Sequence, residues 1–374
     1  MKKCTEHPKK FGKKSNPESD ERREFMTLQP MVRLNIMVVE RCGGHITLLF
    51  SIWKDSHLAR LQGSRGAGLN IADGVEASVE FLSSNRPEIE AKLSSGSELD
   101  TPAGPTEDGQ IHISVFAMDG SEMLDSGQIY IDLVEELREA RLLKREDSYR
   151  ILVELELPTS QGFGMSAAGL IAVGRAFRTL TKKGTEEQYL RLAHRIERMH
   201  GSGLGDVLGI SAKGVELRLE PGAPGSGGKA ISFFTSQPIL VAWQPEESRH
   251  TSKYIDDSVW QRSISKAGER SVNRLRLKDW TFERWPDLML ESRNFAKASG
   301  LLEEEERKKM LALVQKEILR LDLQARVNVR LCMLGVSVSI LPRRLEQPLL
   351  SDELDAIANA LRAMGLGVRE TQIN

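Results

Sequence analysis

The chain has 374 residues, enough for two domains with separate cores, and sets 52 Lys and Arg against 53 Asp and Glu for a formal charge of −1. That balance offers no broad basic field for nucleic acid, and no apolar run approaches the ~20 residues a membrane span needs, so neither partner is expected. Cys4, Cys42 and Cys332 stand far apart and without metal-binding spacing; together with the lack of a leader-like segment, this predicts a cytoplasmic protein without a disulfide framework.

Residues 1–31 are rich in Lys, Glu, Ser and Asp and poor in apolar side chains, the composition of a disordered arm. Its basic start, MKKCTEHPKKFGKK, could tether RNA or lipid, but a solvated tail accounts for it more simply. RLNIMVVE then reads as the first strand. Residues 83–110, full of Ser, Pro, Gly and acids, read as a surface insertion between strands. Residues 132–146 have helical spacing at Leu133, Leu137 and Leu142. RILVELEL, residues 150–157, alternates apolar and polar as a half-buried strand should, and Pro158 stops it. A glycine loop follows, then a small-residue helix, SAAGLIAVGRAF, opening at Ser166. Residues 186–199 form another helix, running into HGSGLGD.

EPGAPGSGGK, residues 220–229, is the densest cluster of turn formers and marks the expected seam between domains at 32–228 and 229–374. Beyond it ISFFT and ILVAW are strand-like. EEEERKKMLALVQKEILRLDLQ carries an apolar stripe at Met310, Leu313, Val314, Ile318 and Leu321, with acids preceding bases as the helix dipole favours. VSVSIL is strand-like, residues 351–364 form a helix ended by Gly365, and LGVRETQI is a last strand. Strands and helices interleave without uniform βα repeats, which favours α+β over a doubly wound sheet.

The chemistry concentrates in PTSQGFGMSAAG, residues 158–169. Gly162 and Gly164 permit backbone angles closed to other residues, and a loop feeding a helix N-terminus offers unpaired N–H groups and a favourable dipole to an anion. The plainer alternative is a turn with Ser166 as a helix cap. No G-x-x-x-x-G-K-[ST] loop occurs; GSGGKA lacks its spacing. Gly162 to Ala167 does fit G-x-G-x-x-A, but that dinucleotide fingerprint wants an acidic residue ending a second strand ~20 positions on. There the sequence reads TKKGTEEQYLRLAHRIERM, a helix.

PTSQGFGMSAAG resembles the ATP-phosphate loop of the GHMP small-molecule kinases. GGHITLLFSI, GSRGAGLNIADGV and AHRIERMHGSGLGDV supply three further blocks in the expected order, and within the family the set is most similar to the archaeal pantoate kinase branch. The resemblance runs from about Val32 to the C-terminus. It implies a two-domain α+β fold, with an N-terminal domain of a ribosomal-protein-like type and a ferredoxin-like C-terminal domain. It further implies ATP and Mg²⁺ as cofactors and pantoate as acceptor, and it leaves a homodimer open. Another small-molecule kinase of this family (homoserine, shikimate or mevalonate-type) and a silent ligand-binding relative are the alternatives.

By that resemblance Pro158, Gly162, Phe163, Gly164, Met165, Ser166 and Ala167 form the phosphate loop. Ser166 and Glu197 would hold Mg²⁺, a hard cation that takes oxygen ligands, and Asp206 would orient or deprotonate the attacking hydroxyl. Ser64, His194 and Arg218 are placed at the acceptor, whose carboxylate suits an arginine fork. Arg65 would either join them or pair with a structural carboxylate. His45 is either a packing residue or an edge of the cavity. The competing structural roles are ordinary: Glu197 on a solvated helix face beside Arg195 or Arg198, and Asp206 as a helix N-cap. Three departures from the family pattern stand out. Ser160 replaces a common Gly, Gly43 a usual Pro, and the late glycine-rich motif shrinks to LCMLGVSVS around Gly335.

Overall fold

The computed structural model describes residues 36–85, 108–245, 254 and 257–374. The expected arm at 1–31 and most of the 83–110 insertion lie outside the described residues. The organising unit is a long antiparallel pair, β1 (Met37–Phe50) and β2 (Gly66–Ser84). The opposite edge of β2 is shared by two partners: Gly66–Leu69 pair with β5 (Val215–Glu220), and Val75 onward pairs with β4 (Asp147–Leu155). β3 (Ile111–Phe116) runs parallel to β4, while β7 (Gly227–Phe233) and the short β6 (Ala223–Pro224) continue the sheet beyond β5. EPGAPGSGGK thus turns the chain back within this sheet.

A register shift between Gly43 and His45 bends β1 and re-aims His45. Four helices accompany the sheet: α1 (Gln128–Glu139), α2 (Met165–Thr181), α3 (Glu186–Met199) and α4 (Asp206–Ala212). α2 buries eleven of its residues, as its run of Ala, Gly, Leu and Val allows. α3 starts on a capping box of Thr185 and Gln188 that satisfies two end donors. The helix expected at 132–146 starts earlier and ends at Glu139, because Arg141 turns into the left-handed region (φ 58°). Leu142 is still buried, but from the following loop.

A second, antiparallel sheet has the order β11 (Gly367–Gln372), β8 (Pro238–Trp243), β10 (Ser337–Pro342), β9 (Val327–Leu331). Helices α5 (Ser258–Leu275), α6 (Trp285–Ala298), α7 (Glu305–Arg320) and α8 (Ser351–Arg362) belong to this half of the chain. Along α7, Met310, Val314 and Ile318 are buried as the stripe predicts, whereas Leu313 is exposed. Buried indoles find carbonyls: Trp285 Nε1 donates to Pro342 O and Trp280 Nε1 to Val215 O, both at 2.9 Å. The C-terminus ties the two sheets, with Asn374 N donating to Asn70 O at 2.9 Å and Gly214 N to Asn374 O at 2.8 Å. Two sheets with interleaved helices make the fold α+β. No described helix is long and apolar enough to cross a membrane.

Candidate active site

A cavity of about 390 Å³ opens where the loop after β4, the start of α2, the α3–α4 loop and the β9–β10 turn converge. All seven phosphate-loop residues, Pro158, Gly162, Phe163, Gly164, Met165, Ser166 and Ala167, line it except that the run is interrupted at Gln161, which lies behind. Gly162 and Gly164 have φ of +79° and +69°, and so does Ser160 at +60°, which explains why glycine is the common residue at that point. A side chain at Gly162 would also put Cβ 2.8 Å from Met333 O. Gly164 is the N-cap of α2 and no side chain caps the helix, so Ser166 sits inside the first turn rather than capping it. The first-turn donors are left for the cavity.

The reduced late motif still supports this loop. Met333 and Leu334 line the cavity, Ser337 Oγ donates to Gln161 O at 2.5 Å, and a Cβ on Gly335 would meet Gln161 O at 2.1 Å. From behind, buried Arg307 donates to Leu334 O (2.8 Å) and Gly335 O (3.0 Å).

Next to the loop, where His45 N donates to Phe163 O at 2.9 Å, lies a dense polar cluster. His45, fully buried, spans two carboxylates: Nδ1 lies 2.7 Å from Asp206 Oδ1 and Nε2 lies 3.0 Å from Glu216 Oε1. Thr47 Oγ1 donates to Asp206 Oδ1 at 3.4 Å, and Arg218 Nη1 donates to Gly205 O at 2.9 Å. Glu216 and Arg218 share a face of β5 because they are two residues apart. Directly across from them on β2 stand Gly68 and Gly66. A Cβ at Gly66 would lie 2.6 Å from Arg218 Nη2, and one at Gly68 would lie 2.7 Å from His45 Nε2. Likewise a Cβ at Gly205 would lie 2.2 Å from Ser64 Oγ. The glycines of GSRGAG and GLGD are therefore the space in which the cluster packs.

Burial opposes charge on His45, but the hydrogen bonds and charges of Asp206 and Glu216 outweigh it and hold the imidazole above its ordinary range. For Asp206, burial pushes upward, yet the bond from His45, its charge, and Arg218 leave the carboxyl below its usual value. Asp206 is the first residue of α4 behind an N-cap at Gly205, so it is not itself the cap.

Glu197 contrasts with it. It is 1% exposed, not on a solvated face, and neither carboxylate oxygen has a hydrogen-bond partner among the described residues. Burial first, then the charge of Asp206, raise it to about 8, against small opposing effects of Arg198, Arg218 and the Val207 amide. Its sequence neighbours are engaged elsewhere: Arg195 pairs with Glu136 at 2.9 Å and Arg198 donates to Gly203 O at 2.6 Å.

The structure thus brings Ser64, Ser166, Glu197, Asp206 and Arg218 to one cavity from separate blocks. His194 and Arg65 do not line it. His194 donates Nε2–H to Gln62 O at 3.0 Å; burial lowers it to about 4, so it is neutral, and Nδ1 lies 3.7 Å from Glu197 Oε2. Arg65 forms an ion pair with Glu269, the structural alternative. Sequence reading missed Glu216 and Thr47. The signal for Glu216 was its i, i+2 relation to Arg218 within VELRLE.

Residues 129–214 match the family described as GHMP kinases N terminal domain. The chain is 36% identical over 147 residues to a pantoate kinase of Thermococcus kodakarensis, covering 39% of this chain and 46% of that protein. It is 27% identical over 271 residues to a pantoate kinase of Methanocaldococcus jannaschii, covering 72% of this chain and 91% of that one. Among solved structures it is similar to a phosphotransferase related to the CoA biosynthesis pathway (TM-score 0.66, 22% identity, 90% of this chain and 96% of that one). A Methanococcus jannaschii mevalonate kinase is similar in fold at TM-score 0.57 and 11% identity, over 91% of this chain and 98% of that one. Over residues 129–214 the chain thus matches the GHMP kinase family, and over about nine-tenths of its length its fold is similar to those of the two solved structures.

Proposed function

We propose that the chain transfers the γ-phosphoryl group of ATP to the 4-hydroxyl of pantoate, giving 4-phosphopantoate for coenzyme A synthesis. The observation that carries this reading is the meeting of Ser64, Ser166, Glu197, Asp206 and Arg218 at one cavity beside an uncapped helix N-terminus. Likeness to the two pantoate kinases supports the acceptor.

Phosphoryl transfer depends on positioning and on neutralising oxygen charge more than on covalent help from the protein. The loop from Gly162 to Met165 and the start of α2 would receive the phosphates. Mg²⁺ fits the residues present: Glu197 is a buried carboxylate with neither oxygen hydrogen-bonded, and Ser166 adds a hydroxyl to the same cavity. When bound, the ion supplies charge neutralisation of phosphate oxygens.

Asp206 has one oxygen committed to His45 and Thr47. Its lowered pKa makes it a weak base, so it chiefly orients the acceptor hydroxyl, taking the proton as the new bond forms. Ser64 and Arg218 would meet the acceptor, Arg218 opposite its carboxylate; His194 stands behind them with only Nδ1 unspent. The test is product identification by ³¹P NMR after incubation with ATP, Mg²⁺ and pantoate. A phosphomonoester on the primary hydroxyl is expected; unmodified pantoate would overturn the reading.

A further inference from the structure

A second concavity, about 810 Å³, lies between α6, α7 and the edge strand β9, and shares no lining residue with the catalytic cavity. Its wall carries Arg293, Lys297, Arg330, Arg343 and Arg344, and no Asp or Glu. None of the five has a carboxylate within ion-pair distance among the described residues. Their neighbours in the chain do: Arg326 pairs with Glu353 at 2.8 Å, Arg284 with Asp287 at 2.5 Å and Arg320 with Glu317 at 2.6 Å. Pairing is thus the local habit, and the concavity breaks it.

Arg330 is the most informative of the five. Its guanidinium is only partly accessible and donates solely to neutral acceptors: Met289 O at 2.9 Å, Val329 O at 2.8 Å and Asn328 Oδ1 at 3.3 Å. These bonds fix its plane on the wall of the concavity. Burial, and then the like charges of Arg293 and Arg343, pull its pKa down to about 10, so the three guanidiniums feel one another. Holding like charges together over a half-buried one is unfavourable unless an anion joins them, and planar guanidiniums match phosphate oxygens bidentately. Exposed Leu290 and partly buried Leu311 on the same wall add an apolar surface.

We propose that this concavity binds a phosphorylated small molecule bearing at least two negative charges, at a site separate from the catalytic cavity. A small ligand fits better than nucleic acid because the cations line one concavity of ligand-sized volume while the chain as a whole carries a charge of −1.

Inorganic pyrophosphate is the probe, titrated calorimetrically into the full chain and into a double variant, Arg293→Gln with Arg343→Gln. Both side chains are exposed, so the fold should hold, as an unchanged melting temperature would verify. The wild type should show a binding event that weakens at least tenfold in the double variant while ATP-dependent turnover stays the same. A tungstate soak should place anomalous density beside Arg330. Identical isotherms for the two proteins would overturn the proposal. So would a DNA duplex binding more tightly than pyrophosphate and losing affinity in the same variant, which would mark a nucleic-acid surface. The readout is binding, so failure here leaves the kinase reading intact.

Discussion

Two sets of groups at the catalytic cavity are built on opposite terms. Around Asp206, the residues His45, Thr47, Asp206 and Arg218 all have hydrogen-bond partners before any ligand arrives, and glycines at 66, 68 and 205 are the holes that let them pack. By contrast the helix N-terminus behind the phosphate loop is uncapped, and Glu197, although beside Asp206, holds a buried carboxylate with no hydrogen-bond partner among the described residues. A group that must aim at a reacting hydroxyl gains from being fixed in advance. A group whose counter-charge comes with the ligand is left incomplete, and binding stabilises it. Damage to the first set should therefore appear in turnover, and damage to the second in ligand dependence.

The largest break is expected at Asp206→Asn. Turnover should fall about a hundredfold or more, the usual weight of a positioned base, with the Michaelis constant for ATP nearly unchanged in an ADP-release assay. Unchanged turnover would remove Asp206 from the mechanism. Next comes Arg218→Ala, which should raise the Michaelis constant for pantoate by roughly 30- to 150-fold, corresponding to the ~2–3 kcal/mol of a charge-assisted bond. Since Arg218 also holds Gly205 O, some loss of melting temperature is expected too. An equal rise for ATP and pantoate would reduce Arg218 to a structural role.

Glu197→Gln sharpens the contrast through pH. The folded-state value of about 8 lies above the ordinary 4.5, so folded protein binds this proton more tightly than unfolded chain. In metal-free protein its contribution to stability is therefore full below about pH 4.5, declines as pH rises and is gone above about 8. Stability of the wild type should fall more steeply with pH between about 4.5 and 8 than that of Glu197→Gln, read as melting temperature. Mg²⁺ with ATP should restore stability at the upper end in the wild type alone, and the variant should need more Mg²⁺ for activity. Parallel curves would mean the carboxylate is already compensated. The smallest effect is Ser160→Gly, which relieves a left-handed non-glycine residue (φ 60°) and should stabilise by about 0.5–1 kcal/mol, read as a small rise in melting temperature.

Much of the site was legible because its parts are local. A strand that alternates, a proline stop and two glycines before a small-residue run encode the phosphate loop within twenty positions, residues 150–169. α3 was readable to its ends because Thr185 and Gln188 cap it and its buried face has clear spacing. The first half of β2 hid because Gly66–Ile71 are buried on both faces, which erases the alternation that marks a strand. α5 and α6 were not recognised; their sequences, SVWQRSISKAGERSVNRL and WPDLMLESRNFAKA, mix Ser, Arg and Lys into faces whose apolar side is defined by the partner helix. The His45–Glu216 pair joins residues 171 apart in sequence, a contact that only the fold makes. The positions of His194 and Arg65 behind the wall were equally non-local, since each is spent on a chain segment distant in sequence, Gln62 and Glu269.

If pantoate is the acceptor at this cavity, kcat/KM measured by ADP release with pantoate, homoserine, shikimate and mevalonate will rank it first. Pantoate should exceed each of the others by at least tenfold. A higher value for any of them would contradict the substrate, and ADP release with none of the four would contradict the proposed activity.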